Sequence, residues 1–245
     1  MFFNLLRSEW FKLRKTKIGL ILFIGPLFGL LIGLPSDLFD EVPDTVNEWE
    51  VTLLGMNLVY ALLFLPLVTG VLASFICRYE HQAGGWKQLL ALPVTRGKVF
   101  FAKYTLIMLL VFVVQILYLV AISVVGTIKG FTDPFPMTII WKSILGGWVA
   151  TLPLVALQLW MSLIWKSFAA PFAVNVIFTL PAILAVNSER FGPFYPWAQP
   201  FSMMYVDDGA EGVFFVLWDQ LLTVVGGSFI LFFFGGWIYF RRKAV

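Results

Sequence analysis

Residues 104–128 read YTLIMLLVFVVQILYLVAISVVGTI, a stretch without a single charged side chain. A helix needs about 20 predominantly apolar residues to cross the hydrocarbon core of a bilayer. That core offers no water to backbone polar groups, so a stretch of this kind crosses it as an α-helix. Further uncharged stretches lie at 18–36, 51–77, 143–165, 167–188 and 220–240. The chain is therefore predicted to be an all-α integral membrane protein with six transmembrane helices.

The charged residues between these stretches are sorted by sign. Of the 17 Lys and Arg residues, 14 fall in alternate gaps, at 7–17, 78–103, 166 and 241–243. The other gaps hold nearly all of the acidic residues, and their only basic residues are Lys129, Lys142 and Arg190. Loops rich in Lys and Arg stay on the cytoplasmic side of a membrane. Six helices with both termini in the cytoplasm is the one threading that fits this pattern.

The composition also indicates a membrane protein. Hydrophobic residues make up 60% of the chain and charged residues 13%, with a mean hydropathy of +0.89. A soluble domain carries about 25% charged residues. No gap is long enough to fold alone, so residues 1–245 are predicted to form one transmembrane domain. The net charge of +3 belongs to loops that face anionic membrane lipid, and no nucleic acid partner is predicted.

Residues 1–17 are predicted to form an amphipathic helix that lies in the inner membrane interface. On a helical projection, one arc collects five apolar side chains, those of Phe2, Phe3, Leu6, Trp10 and Leu13. The basic residues Arg7, Lys12 and Arg14 lie outside this arc. A disordered basic leader is the alternative for this segment.

Two of the remaining segments carry proline signals. Pro66 lies in the middle of the second apolar stretch and predicts a kink there. The external segment 188–212 is rich in proline and aromatic residues, which prefer the headgroup level of a membrane. It is therefore predicted to lie on the outer leaflet or to dip into it.

The same external segment supplies the candidates for contact with a cationic, amphipathic substrate. These are the aromatic residues Tyr195 and Trp197 and the acidic residues Asp207 and Asp208. Rings offer a stacking surface and carboxylates offer a complementary field. The alternative is that the external acid is only the charge bias that membrane topology leaves behind.

Motifs for catalysis are absent from the sequence. It contains no G-x-x-x-x-G-K-[ST] loop for nucleotide phosphates and no Gly-x-Ser-x-Gly elbow. His81 and Cys77 are the only residues of their types, which excludes a His/Cys zinc site. No cofactor or metal is predicted in this chain. The span interiors hold only neutral polar residues, so a self-powered ion-coupled pump is not expected either.

Those neutral polar residues have two interpretations. They are Asn57, Thr69, Ser74, Gln115, Ser123, Gln158, Ser162 and Asn175. The first interpretation is hydrogen bonding between neighbouring helices, worth roughly 0.6 kcal/mol each. The second is a polar seam that faces a substrate or a second subunit.

The cytoplasmic gap 78–103 contains the most informative block, which reads RYEHQAGGWKQLLALPVTRGK over residues 78–98. Gly84-Gly85 predicts a break and Pro93 a stop, with a short amphipathic helix from Trp86 to Leu92 between them. A short exposed helix with a break on each side is suited to docking a partner protein. The alternative is a helix on the membrane surface that has no partner.

This block resembles the cytoplasmic loop of permease subunits of ATP-binding-cassette exporters of the second type, and especially their lantibiotic-immunity and bacitracin-resistance branch. In that branch an acid, often Glu-His, precedes Trp-Lys, a Leu-rich turn, Leu-Pro, a small residue, a basic residue and then a Lys that opens the next span. The matching residues are Glu80, His81, Trp86, Lys87, Leu89, Leu90, Leu92, Pro93, Thr95, Arg96 and Lys103. The opening Glu9-Trp10 and the six-span layout look similar as well.

The resemblance implies that ATP hydrolysis belongs to a separate ATPase subunit, which holds ATP and Mg²⁺. Two such ATPases would join two permease subunits, identical or related. The residues that couple to the ATPase would be Glu80, His81, Trp86, Lys87, Leu89, Leu90, Pro93 and Arg96.

Within that set the implied roles differ. Lys87 and Arg96 would meet acidic ATPase surface, whereas Trp86 and Leu90 would pack in its cleft. Glu80 would bond the amphipathic helix through Arg7 or Arg14, or else cap its own helix.

The predicted function is therefore a permease in the bacterial cytoplasmic membrane that exports or expels amphipathic peptide antibiotics of the lantibiotic or bacitracin type. The alternative is a membrane anchor or sensor that binds a peptide or partner without moving it. An ATPase that co-purifies with the chain would favour export.

Overall fold

The computed structural model describes residues 2–14, 16, 18–35, 47–82, 85–91, 93–188, 190–205 and 218–243. Within these ranges every regular element is a helix. A π-helical turn spans Tyr60–Phe64, and a 3₁₀ turn spans Gly192–Phe194. The α-helices are α1 (Phe2–Arg14), α2 (Ile18–Gly33), α3 (Glu48–Val59), α4 (Leu65–His81), α5 (Gly85–Ala91), α6 (Arg96–Lys129), α7 (Met137–Ile164), α8 (Ala169–Thr179), α9 (Ala182–Ala185), α10 (Gln199–Met204) and α11 (Trp218–Arg242).

Four of the described helical segments are long and apolar enough to cross a membrane: Glu48–His81, Arg96–Lys129, Met137–Ile164 and Asp219–Arg242. A fifth results if α1 and α2 count as one bent span. The apolar helix Ala169–Ala185 is shorter than this length criterion. The predicted all-helical membrane fold is confirmed, whereas the count of six spans stays a prediction.

The second apolar stretch is distorted where the sequence predicts it. The π-helical turn ends two residues before Pro66. The N–H of Leu65 donates to Tyr60 O, five residues back, which is the hydrogen bond of a π-helix. A proline cannot donate to the preceding turn, so such widening next to it is expected. The neighbouring α8 contacts this region through Asn175, whose Nδ2 donates to Pro66 O at 2.9 Å. Gly70 makes room for that side chain, because a Cβ there would lie 2.2 Å from Asn175 Nδ2.

The start of α3 and the end of α6 are held together by the side chain of Trp49. Trp49 lies against Gly126, where a Cβ would approach Trp49 Cη2 to 2.1 Å. The indole Nε1 of Trp49 donates to Asp133 O at 3.1 Å, and the Glu48 N–H donates to Asp133 Oδ2 at 2.9 Å. The turn after α6 thus satisfies orphan donors at the start of α3.

The chain after α9 folds back into the bundle. Phe201, Met203 and Met204 of α10 are fully buried, and α10 packs mainly against α7. The Met204 carbonyl accepts from Asn57 Nδ2 at 3.1 Å and from Ser143 Oγ at 3.0 Å. Two polar side chains of the long helices therefore hold the end of α10 inside the protein.

Candidate functional site

Six of the described helices, α1, α4, α5, α6, α7 and α11, are in contact at the basic end of the bundle, where α4 and α11 end and α6 begins. At their meeting point lie four charged side chains, Glu9, Lys12, Glu80 and Lys103, which we call the ion-pair ring. Lys12 Nζ lies 2.6 Å from Glu9 Oε1 and 2.6 Å from Glu80 Oε1. Lys103 Nζ lies 2.7 Å from Glu9 Oε2 and 3.0 Å from Glu80 Oε2. Each carboxylate thus bridges both ammonium groups, and the ring has no net charge.

Three of the four ring members are buried, and Lys103 is the innermost. The exposed fractions are 0% for Lys103, 2% for Glu9 and 3% for Glu80. Lys103 Nζ donates hydrogen bonds to Glu9 Oε2 at 2.7 Å and to Ile76 O at 3.0 Å. The Glu80 Oε2 contact has the geometry of an ion pair rather than of a hydrogen bond. The fourth member, Lys12, is 28% exposed. Burial of the other three charges is tolerable only because each has opposite charges beside it.

The ring ties α1 to α4 and α6, with partners different from those predicted. Glu80 does contact the N-terminal helix, but through Lys12 rather than through Arg7 or Arg14. Arg7 and Arg14 are exposed on α1, whereas its buried face consists of Leu5, Glu9 and Leu13. Capping by Glu80 of its own helix is not the observed arrangement either. Of the predicted apolar arc, Leu13 lies on this buried face, whereas Phe3 and Trp10 are exposed.

Trp86 lies inside the bundle rather than on its surface. Its side chain is only 7% exposed, and its ring packs against Phe240 of α11 at a centroid distance of 5.1 Å. The Lys103 ammonium lies 5.7 Å from the centroid of the same ring, within cation–π range. Trp86 therefore wedges α5 against α6 and α11, and in this conformation it is not available to an ATPase cleft.

His81 joins this wedge to α7. Its Nε2 lies 2.7 Å from Ser162 O, and its Nδ1 accepts from Trp86 Nε1 at 3.2 Å. These two partners assign the neutral imidazole with its proton on Nε2, because one ring nitrogen must donate and the other accept. One buried indole and one imidazole thus connect α4, α5 and α7.

The outer face of α5 is open. Lys87, Gln88 and Ala91 are exposed, and Leu89 is half-buried. Leu90 belongs to α5, but its side chain lies outside the described part of the chain. Pro93 is exposed just beyond the helix. Of the side chains predicted to meet an ATPase, Lys87 is the charged one that the structure presents outward.

Arg96 contacts the chain's own C-terminal region. Its guanidinium donates to the Lys243 carbonyl, and Lys243 Nζ donates to Leu163 O at the end of α7. Burial lowers the pKa of the Lys243 ammonium from its ordinary value.

Phe240 and Lys243 were not among the residues predicted from the sequence, because nothing in the last helix indicates that it packs on the distant segment 85–91. Glu9, with Lys12 three residues later, was the one available signal for the ring.

Of the residues predicted to face a substrate, the two that the structure describes, Tyr195 and Trp197, do not form an open surface. Trp197 is 4% exposed, its Nε1 donates to Asn175 Oδ1 at 2.7 Å, and its ring stacks on Phe178. Tyr195 is half-buried, and its hydroxyl donates to Phe178 O at 2.6 Å. Asp207 and Asp208 lie outside the described residues.

Four of the eight neutral polar residues of the helices make the hydrogen bonds between helices that the first interpretation expects. Asn57, Gln115, Gln158 and Asn175 bond other helices, for example Tyr60 Oη to Gln115 Oε1 at 2.9 Å and Gln158 Nε2 to Asn175 Oδ1 at 2.7 Å. Thr69, Ser123 and Ser162 donate to carbonyls of their own helices. Ser74 Oγ has no hydrogen-bond partner in the described structure. Within the described ranges no three His, Cys, Asp or Glu side chains are close enough to hold a metal ion.

Comparison with known proteins assigns this arrangement to a family. The pattern of the family described as ABC-2 family transporter protein matches residues 5–182. The chain belongs to the ABC-2 transporter family. The matched range contains the whole ion-pair ring, Trp86 and His81, but not α10 and α11.

A curated relative narrows the position of this ABC-2 protein within the family. The bacitracin transport permease protein BCRB of Bacillus licheniformis is 22% identical over 177 residues, which cover 71% of this chain and 82% of the relative. The resemblance to permeases of the bacitracin-resistance branch is confirmed. The chain is a multi-pass membrane protein and a transport permease subunit, a class that is not itself catalytic.

Proposed function

We propose that this chain is the permease subunit of an ATP-driven exporter and that a separate ATPase, which carries ATP and Mg²⁺, docks on the outer face of α5. The observation that carries the proposal is the construction of α5. Its inner face is wedged into the bundle by Trp86, while Lys87 and Gln88 on its outer face are open. A helix with one face packed and the other exposed can be displaced by a bound partner and can transmit that displacement to the helices it contacts.

The contacts of α5 and its neighbours indicate which helices such a displacement would reach. Trp86 transmits movement of α5 to α11 through Phe240 and to α7 through His81. The ion-pair ring beside it links α4 and α6 to α1. Because these contacts are buried and close-packed, displacement of α5 shifts several helices together rather than bending one side chain. Two permease subunits, identical or related, with two ATPases would complete the assembly.

The proposed orientation places the basic end in the cytoplasm, with six spans and both termini inside. The sorting of Lys and Arg supports it. In a Cys77→Ser background, we expect Thr132→Cys to be labelled in intact cells by a membrane-impermeant maleimide. Gln88→Cys should be labelled only after the cells are permeabilised. Both positions are exposed, so burial does not confound the comparison. Labelling of Gln88→Cys in intact cells would contradict this orientation.

The proposed substrates are amphipathic peptide antibiotics of the bacitracin or lantibiotic type. Support comes from the name of the relative, a bacitracin transport permease. Because Trp197 is buried, its contact with such a peptide requires a conformation in which the segment 190–205 moves away from Asn175. A host that expresses the permease with its ATPase should then resist the peptide, and a host that expresses the permease alone should not.

The docking proposal is tested by reversing the exposed charge on α5. We expect Lys87→Glu to weaken co-purification of the ATPase by about tenfold or more, since a misplaced like charge at an interface costs on the order of a few kcal/mol. The permease itself should stay intact, because Lys87 is exposed. Lys142→Glu makes the same change on an exposed lysine of α7 near the opposite end and should leave association unchanged. Association unaffected by Lys87→Glu would place the dock elsewhere, and no ATPase with the unaltered chain would favour an anchor or sensor.

A further inference from the structure

A groove runs between α1 and α5 at the basic end of the bundle. Its larger part, about 590 Å³, is lined by Asn4, Arg7, Ser8, Phe11, Lys12 and Tyr79. Its smaller part, about 300 Å³, shares Ser8, Lys12 and Tyr79 and continues to Glu80, Gly85, Gln88 and Leu89. We call the two parts together the α1–α5 groove.

The charge of the groove comes from Arg7. Lys12 is already neutralised by Glu9 and Glu80 in the ion-pair ring. Arg7 lies 5.5 Å from the centroid of the Phe11 ring, and no carboxylate among the described residues pairs with it. The groove therefore presents one positive charge that the described chain leaves uncompensated, which suits an anion.

The lining of the groove also contains hydrogen-bond donors. Asn4, Arg7, Ser8 and Phe11 follow each other at helical spacing along one face of α1, and Tyr79 of α4 lines the same groove. A guanidinium with amide and hydroxyl donors is a set that suits phosphate oxygens. Phe11 and Leu89 add apolar surface in the same groove.

The position of α1 indicates what kind of phosphate reaches the groove. Phe3, Trp10 and Phe11 are 78%, 45% and 45% exposed on this helix, which carries basic residues beside them. Exposed aromatic and basic side chains on one amphipathic helix are typical of a helix that lies at the headgroup level of a membrane. The groove thus opens where lipid phosphates are concentrated, with apolar surface available to an acyl chain.

We propose that the α1–α5 groove binds the headgroup of an anionic phospholipid of the inner leaflet, with Arg7 on its phosphate. The inference rests on the proposed orientation of the chain. A lipid bound there would contact both α1 and the neighbourhood of Gln88 on α5. Its presence would therefore affect how α5 responds to the ATPase.

The test uses the full-length permease alone, reconstituted in nanodiscs of phosphatidylcholine with one quarter phosphatidylglycerol and then released for native mass spectrometry. We expect retained phosphatidylglycerol to exceed phosphatidylcholine clearly for the unaltered chain. Arg7→Gln should lower retained phosphatidylglycerol at least about fivefold. Lys98→Gln removes one exposed positive charge from the same end but outside the groove, and it should change retention little. A matched melting temperature for both variants verifies that the fold is intact.

Three results would overturn the inference: equal retention of the two lipids by the unaltered chain, unchanged retention in Arg7→Gln, or equal losses in Arg7→Gln and Lys98→Gln. A second arm compares ATPase association in nanodiscs of phosphatidylcholine alone. If Arg7→Gln abolishes association there without affecting lipid retention, the groove is a protein dock and the lipid inference fails. An unaltered chain that retains the lipid but never binds an ATPase would instead overturn the proposed function.

Discussion

Replacing Lys103 with methionine is expected to cost about 3–5 kcal/mol of stability, because it leaves two buried carboxylates with one cation between them. Glu9 and Glu80 are 2% and 3% exposed, so water cannot solvate their carboxylates in place of the missing ammonium group. Methionine keeps most of the volume of the side chain, which isolates the effect of charge. For a chain of this size the apparent melting temperature should fall by roughly 10 °C. The measurement is a thermal melt of the purified permease in mild detergent.

Two companion variants separate charge from packing. Lys98→Met changes an exposed lysine near the start of the same helix and should alter stability by no more than about 0.5 kcal/mol. Lys103→Met combined with Glu80→Gln removes one charge of each sign and should recover part of the loss, because the ring becomes neutral again. If the double variant is no more stable than Lys103→Met, charge imbalance is not the cause. If Lys103→Met melts like the unaltered chain, the ring itself is refuted.

Trp86→Ala is expected to destabilise the isolated permease by about 3–5 kcal/mol, the usual cost of removing a large buried aromatic side chain. The substitution removes the contacts that hold α5 against Phe240 and Lys103, together with the hydrogen bond to His81. ATP hydrolysis by the complex should then lose its response to substrate, since α5 no longer moves with the other helices. Thermal melts of the permease alone and hydrolysis assays of the complex measure the two effects.

The readout on the isolated permease separates two roles for this side chain. A Trp86 that packed only in an ATPase cleft would leave the stability of the permease alone unchanged. Trp10→Ala removes a side chain that is 45% exposed and should have little effect on the melt. Trp86→Phe keeps an aromatic ring but removes the indole N–H that bonds His81, so its cost should be about 1–3 kcal/mol. Equal melting temperatures for Trp86→Ala and Trp10→Ala would contradict the wedge.

Residues 78–98 show how much of the site was predictable. Glu80, Trp86 and Lys87 were recognised because Gly-Gly and Pro delimit a short helix and because the block resembles a family loop. Which side of that helix faces inward was not predictable. Trp86 and Lys87 are neighbours in sequence, and seven residues of helix contain too few apolar positions to define one face. The packing of Phe240 decides that Trp86 turns inward.

The N-terminal helix contains a second feature that the sequence did not predict, the burial of Glu9. Its apolar residues predicted amphipathicity, and on that basis Glu9 had no reason to be buried. The structure buries it because Lys103 comes from a helix 94 residues away. A buried carboxylate is costly alone and tolerable beside an ammonium, so its environment depends on a partner that periodicity cannot reveal.

The sequence by itself determined the class of the protein, its helical character and the sorting of its charges. These follow from local rules: an apolar stretch in a bilayer must satisfy its backbone internally, and basic loops stay on one side. Only the tertiary structure decided that Glu9, Lys12, Glu80 and Lys103 close a ring and that Trp86 points inward. Those arrangements depend on distances between helices far apart in sequence, and the strength of each contact is set by burial that no single helix determines.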